Sequence, residues 1–158
     1  MPTMHIIPYA DLTWPEVVDL PRSLPMLLPL GLGDYDLEMA ADRLHAAEVC
    51  LLPAIPYGFR RADDDPLGTL AVRPGLWRRV LAGVAKELRA QGFQRIAVLN
   101  GHGDLGLSGG EAHLLDVRCR PSPSPPWPAD LAQRTAVVST GHTEQHGYHL
   151  PLSTDTLI

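Results

Sequence analysis

Long hydrophobic runs are missing from this 158-residue sequence. No stretch approaches the ~20 apolar residues that a membrane-spanning helix needs. The apolar runs that exist, such as Leu24–Leu30, are short and broken by proline. The opening MPTMHIIPYADL has neither the basic start nor the apolar stretch of a secretory signal. Cysteine is scarce: Cys50 and Cys119 are the only two, and no C-x-x-C pair occurs. A thiolate zinc site is therefore excluded, and the two read as free thiols rather than a bridge. Basic charge is not in excess either. Thirteen Lys and Arg against 18 Asp and Glu give a net charge of −5, so nothing would offset phosphate repulsion. A soluble cytoplasmic protein with no nucleic-acid and no membrane partner is expected.

What is there is ordinary globular composition, 45% hydrophobic and 20% charged, at a length that suits one core. Asp11–Val18 reads as a helix start: Asp11 or Thr13 caps, Pro15 suits the first turn, and Glu16 suits the N-terminal dipole end. Pro25–Leu30 and Val49–Leu52 read as buried strands, the second closed by Pro53. Asp34–Ala47 carries Leu37, Ala40, Ala41 and Leu44 at helical spacing. Pro74–Ala90 is the strongest helix, with an apolar stripe of Leu76, Val80, Leu81, Val84 and Leu88 ended by Gly92. Pro56–Gly58 and Arg60–Pro66 read as polar loop. Thr69–Val72, Arg95–Leu99 and Thr135–Ser139 read as strands, and Pro121–Pro128 as an extended proline-rich stretch. Helices alternating with short apolar strands imply an α/β fold with a mainly parallel sheet, in which ligands bind beyond the strand C-termini.

Two polar motifs follow predicted strands. In Asn100-Gly101-His102-Gly103-Asp104 the imidazole and carboxylate stand two residues apart, and the glycines let the backbone bend tightly. A glycine-rich turn with a polar cap is the plain alternative. In Gly141–His149 (GHTEQHGYH), Glu144 and His146 repeat that spacing, and Asp155 follows after a proline-containing stretch. Three histidines and two carboxylates so close together are hard to explain as packing. His102, Asp104, Glu144, His146 and Asp155 together suit Zn²⁺, Mn²⁺ or Fe²⁺. They are too many for one catalytic zinc with an open position, and about right for two ions sharing a carboxylate. Such a pair activates water and polarises a carbonyl, so hydrolysis of an amide-like C–N bond is the matching chemistry.

Thr143–Gly147 (TEQHG), His149–Leu152 (HLPL) and Thr154–Thr156 (TDT) resemble the signature of the creatininase (creatinine amidohydrolase) family, and Asn100–Gly103 (NGHG) resembles its second signature. Leu12–Glu16, Leu52-Pro53 to Pro56–Gly58, Gly68–Leu70, and Gly92-Phe93 leading into Arg95–Leu99 agree with it. The resemblance implies a three-layer α/β/α sandwich holding two metals, zinc or manganese. It implies Glu144, His146 and Asp155 as one ligand cluster, with Asp155 bridging, His102 as the second histidine, and Asp104 at a carboxylate position. It implies a metal-dependent amidohydrolase acting on a small, possibly cyclic amide by a hydroxide bridging the metals. His149 is the candidate for proton transfer, and His142 reads as a loop histidine. Self-association is expected, because family members are commonly oligomeric and a shortened sheet exposes an edge.

The motif order departs from the family. EQHG comes first there and last here, while Met26–Gly33 (MLLPLGLG) looks like the strand that leads into it. The family's late His-Ala-Gly-Glu stretch is absent, Gly110–His113 being a faint remnant. Residues 1–120 thus read as a shortened creatininase-like domain lacking its first metal loop, 121–134 as a linker, and 135–158 as a strand plus the EQHG segment. The order favours an eroded duplication or a truncated piece over a rearranged working domain. A non-catalytic fragment or pseudoenzyme that keeps metal-ligand remnants is the alternative function, and a single structural metal in a binding module is a third. His5, His45 and His113 have no visible partner in the sequence. Asp63–Asp65 and Arg60-Arg61 read as solvated surface, and the scattered tryptophans read as packing groups.

Overall fold

A computed structural model describes residues 4–31, 33–55, 58–59, 71–100, 113–116, 119–121 and 150–152. In chain order the elements are β1 (His5–Pro8), a 3-10 turn (Tyr9–Asp11), α1 (Trp14–Asp19), β2 (Met26–Pro29), β3 (Gly33–Tyr35), α2 (Leu37–Leu44), β4 (Glu48–Leu51), β5 (Gly58–Phe59), β6 (Ala71–Val72), α3 (Pro74–Ala90), β7 (Ile96–Asn100), β8 (His113–Asp116) and β9 (Cys119–Pro121).

Local chemistry sets the helix boundaries. At α1 the Thr13 amide and hydroxyl both donate to Glu16 Oε2, each at 2.7 Å, while Pro15 occupies the first turn. The Arg22 guanidinium closes the other end, donating to the carbonyls of Val17 (3.0 Å), Leu20 (2.9 Å) and Val18 (3.1 Å). It also lies 4.7 Å from the centre of the Phe93 ring, a cation–π contact that ties α1 to the start of β7. The Asp36 carboxylate accepts from the Met39 amide at 2.9 Å, so α2 starts at Leu37. The helix expected from Asp34 is therefore shorter: Asp34 and Tyr35 pair antiparallel with Arg120 and Cys119 of β9. That strand partner lies far along the chain and leaves no local trace at Asp34. α3 spans the expected Pro74–Ala90, and Gly92 follows it at φ +96, a left-handed conformation natural to glycine.

Five strands form one parallel sheet in the order β1-β4-β2-β7-β8. The central strands are buried on both faces, which is why β2 (MLLP) and β7 (IAVLN) read as continuous apolar runs without alternation. Their side chains divide between two cores. Met26, Leu28, Ile96, Val98 and Cys50 pack with Trp77, Leu81, Ala85 and Leu88 of α3. Leu27, Val49, Ala97 and Leu99 pack with Ala40 and Ala41 of α2. Successive residues of β2 alternate between the two, as the pleat requires. Helices thus cover both faces of a parallel sheet, and the fold is a three-layer α/β/α sandwich.

The buried stripe of α3 differs from the expected one. Trp77, Leu81, Ala85 and Leu88 face the sheet, whereas Leu76 and Val80 are 53% and 44% exposed. The helix is apolar over more than one stripe, and the sheet covers only part of it. Trp77 is a core residue, while Trp14 is 41% exposed. Two small pairings complete the description: β3 with β9, and β5 parallel to β6.

Candidate functional site at the carboxyl edge of the sheet

Because all five strands of the main sheet run parallel, Pro8, Leu51, Pro29, Asn100 and Asp116 end at one edge. In open α/β sheets this edge is where ligands bind, since the chain leaves each strand there in loops. Beyond β2 the Leu30 amide donates to Leu99 O at 3.1 Å and the Gly31 amide to Ile55 O at 2.7 Å. Gly31 stands at φ +80, which turns the chain sharply away from the sheet. The Tyr35 hydroxyl donates back to the Leu30 carbonyl and closes this turn.

These contacts leave a pocket of about 370 Å³ over the ends of β2 and β4, lined by Pro29, Gly31, Asp34, Tyr35, Leu51 and Ala54 among others. Asp34 is the carboxylate in that lining. The sequence reading missed this pocket, because it placed Asp34 in a helix. Its available signal was a pair of aspartates, Asp34 and Asp36, before Leu37, of which only the nearer one caps.

At β7 the strand ends in Asn100, 1% exposed and the buried polar side chain among the described core residues. Burying an amide costs several kcal/mol without hydrogen bonds, and Asn100 is partnered within the structure. It opens the Asn100–Gly103 motif, so the first polar cluster starts from a fixed point at this edge. His102 and Asp104 themselves lie outside the described residues, as do Glu144, His146, His149, His142 and Asp155. Of the stretch around the second cluster, residues 150–152 are described. Pro151 makes an antiparallel bridge with Thr13, and the Leu152 amide donates to Leu12 O at 3.0 Å. Leu152 is 5% exposed.

Other candidate groups resolve more simply. His5 does have a partner, Glu48 Oε1 on the neighbouring strand, 2.6 Å from its Nδ1 and in an exposed position. His45 takes the left-handed position that ends α2, at φ 48. His113 is the first residue of β8, in register with Ala97. Cys50 is a buried free thiol whose pKa burial pushes up to about 12, so it stays protonated and is neither a nucleophile nor a ligand at neutral pH. Among the described residues no group of three or more His, Cys, Asp and Glu side chains is placed to hold a metal ion, and no helix is long and apolar enough to cross a membrane. Asp63–Asp65, Arg60-Arg61, Trp127 and the Thr135–Ser139 strand lie outside the described residues.

A parallel sheet layered by helices on both faces, with loops leaving the carboxyl ends of its strands, defines the class of α/β sandwich folds. Within that class, the family model for creatininase (creatinine amidohydrolase) matches residues 10–107. The chain belongs to the creatininase family. The match includes Leu12–Glu16 and Asn100–Gly103 and does not extend to the EQHG segment. Solved structures agree on the fold. A creatininase variant complexed with creatine superposes with a TM-score of 0.52 at 18% identity, covering 69% of this chain and 57% of the other. A creatininase variant of Zn-Zn type gives 0.51 at 18%, covering 68% and 57%. A manganese form of creatininase gives 0.50 at 18%, covering 69% and 57%. The chain thus spans a little over half the length of these structures. No curated protein sequence matches it.

Proposed function

We propose that this protein is a metal-dependent amidohydrolase of the creatininase type, acting on a C–N bond of a small amide. The observation that carries this reading is the family match over residues 10–107, which ends just beyond the Asn100–Gly103 motif at the carboxyl edge of the sheet. Neighbouring structures in the same fold are manganese and zinc forms, which supports divalent metals as the cofactor. The proposed ligands are Glu144, His146, Asp155, His102 and Asp104, with Asp155 bridging. Imidazoles and carboxylates without thiolate are a donor set that fits Zn²⁺ or Mn²⁺. Covalent geometry permits both clusters to serve this edge. Two residues of chain keep His102 within ~7 Å of Asn100, and three keep Asp155 within ~11 Å of Leu152.

Bound there, two such ions would supply Lewis acidity toward the amide carbonyl and a hydroxide nucleophile at neutral pH. The roles left to the chain are orientation and proton movement. Glu144, His146, His102, Asp104 and Asp155 hold the donor atoms. His149, two residues from the Pro151 bridge, carries the proton to the leaving nitrogen. The proposed organisation is a body of residues 1–120, a linker at 121–134 and a ligand-bearing segment at 135–158, with self-association through an exposed sheet edge.

The test is metal content per chain for wild type, His146→Ala and His102→Ala, followed by a screen of small linear and cyclic amides. About two Zn²⁺ or Mn²⁺ ions per chain, depleted in both variants, together with turnover of one of the amides, is the expected result. Absence of metal, or metal affected by only one substitution, would sink the reading. A second reading is a non-catalytic member of the family. It is favoured by the motif order, in which the EQHG segment follows Asn100–Gly103 and lies outside the family match, and it predicts no turnover of any amide.

A further inference from the structure

Four of the five large apolar side chains exposed among the described residues fall into two pairs. Trp14 and Val18 of α1 are 41% and 50% exposed, and Leu76 and Val80 of α3 are 53% and 44% exposed. In each pair the residues stand four apart on a helix, so both lie on one side of it, about 6 Å apart along the axis. Single exposed apolar residues are ordinary on a protein surface, whereas clustered ones mark contact surfaces. The two helices also share one face of the sheet. Leu20, at the end of α1, packs into the core that α3 covers, and the Arg22 guanidinium lies over Phe93 just beyond α3. α2 packs into the core on the other face.

The charges around the two pairs are opposite in sign. Asp11, Glu16 and Asp19 are exposed beside Trp14 and Val18, and residues 11–20 contain no basic group. Over α3 the exposed basic groups are Arg73, Arg78, Arg79, Lys86 and Arg89, against one acid, Glu87. Glu16 is engaged by Thr13. The side chains of Asp11, Asp19, Arg73 and Arg79 have no ion-pair or hydrogen-bond partner among the described residues. Each patch therefore carries an apolar pair of matching spacing and the charge that the other patch would attract.

We propose that this helical face is an interface between two copies of the chain, in which α1 of each copy lies against α3 of the other. Two complementary patches on one face of a molecule can meet their counterparts across a twofold axis, so the pair closes without further growth. Trp14 and Val18 in each copy cover the Leu76 and Val80 pair of the other, and Asp11 and Asp19 lie opposite Arg73 and Arg79. Placing α1 on α1, or α3 on α3, would set like charges together, which disfavours those alternatives. The contact is reversible on dilution, and the single chain folds without it, because none of the four apolar residues belongs to either core. The surface lies apart from the sheet edges and uses no ligand residue, so it stands whether or not the hydrolase reading does.

The test is sedimentation velocity of the full chain over a dilution series, with native mass spectrometry of mixtures and thermal unfolding of every variant. One variant reverses the acidic patch, Asp11→Lys with Asp19→Lys. A second reverses the basic patch, Arg73→Glu with Arg79→Glu. A third, Val80→Glu, puts a carboxylate into the apolar pair at a position the core does not use. The control makes the same change in charge as the first variant but on α2, Glu38→Lys with Asp42→Lys. Wild type and control should associate alike. Each of the three interface variants should fall to half the wild-type mass with its Tm unmoved. An equimolar mixture of the two reversed variants should regain the wild-type mass as mixed pairs, since both contacts are again between opposite charges. A wild type that stays monomeric at every concentration overturns the proposal, whether the face is bare or covered by the chain itself. Wild-type mass in all three variants overturns it too, and leaves association to a sheet edge. Reversed variants that stay apart when mixed overturn the pairing of α1 with α3.

Discussion

Cys50 shows how tertiary burial decides a residue's chemistry. As a residue it is an ordinary thiol; between β1 and β2 in the sheet it is fully buried, and burial lifts its pKa from 9.0 to about 12. Two outcomes follow. Thiol-reactive reagents at pH 8, with the modified site mapped by mass spectrometry, should leave Cys50 unlabelled in the native protein and label it after unfolding. Because the folded state holds this proton more tightly than the unfolded state, the stability is fully present below pH 9. It is lost as pH rises toward 12, which denaturant melts over that range will register. Asn100 makes the complementary case, a polar group kept in the core at the start of the Asn100–Gly103 motif. Asn100→Ala removes a buried side chain that is partnered in the fold and should cost about 1–3 kcal/mol in denaturant unfolding. The sequence marks Asn100 as a motif residue. It does not mark it as buried, since burial comes from neighbouring strands. His5 is similar: its partner Glu48 is 43 positions away and becomes adjacent only when β1 pairs with β4.

Among the elements, α3 is the clearest comparison of pattern with packing. Its limits were legible from Pro74 at the start and Gly92 past the end, because caps are local chemistry. Its buried face was half legible. Leu76, Trp77, Val80, Leu81, Val84, Ala85 and Leu88 form an apolar band wider than a single sheet face covers, and periodicity cannot say which half is covered. The structure predicts a sharp contrast. Leu81→Ala should destabilise by about 2–5 kcal/mol, whereas Val80→Ala should stay within about 0.5 kcal/mol, both read from denaturant midpoints. Equal effects would mean that a second surface covers Val80. Gly92→Ala should cost about 1–2 kcal/mol, because an L side chain at φ +96 is strained. The start of α2 shows the opposite failure. Asp36 rather than Asp34 caps it, since β9 claims Asp34 and Tyr35 for a strand pair.

For the whole molecule, the proposed metals would join segments from distant parts of the chain, and stability should report that. With Zn²⁺ or Mn²⁺ at about a hundred times its Kd, ligand linkage should add about 2.7 kcal/mol to unfolding, and a chelator should remove it. A Tm indifferent to both would contradict a site built from His102 and His146 together. The sequence by itself determined the α/β class, the positions of most strands and helices, and the family. Each of these depends on local pattern or on motif residues adjacent in the chain. Only the tertiary structure decided which face of α3 is buried, that the carboxyl ends of five parallel strands share one edge, and that Leu152 docks on Leu12. Motif order favours a duplicated or truncated piece. The contact between Leu152 and Leu12 joins residues 140 positions apart. Pairing over such a separation arises from loop closure and burial, which leave no periodicity for a linear reading to find.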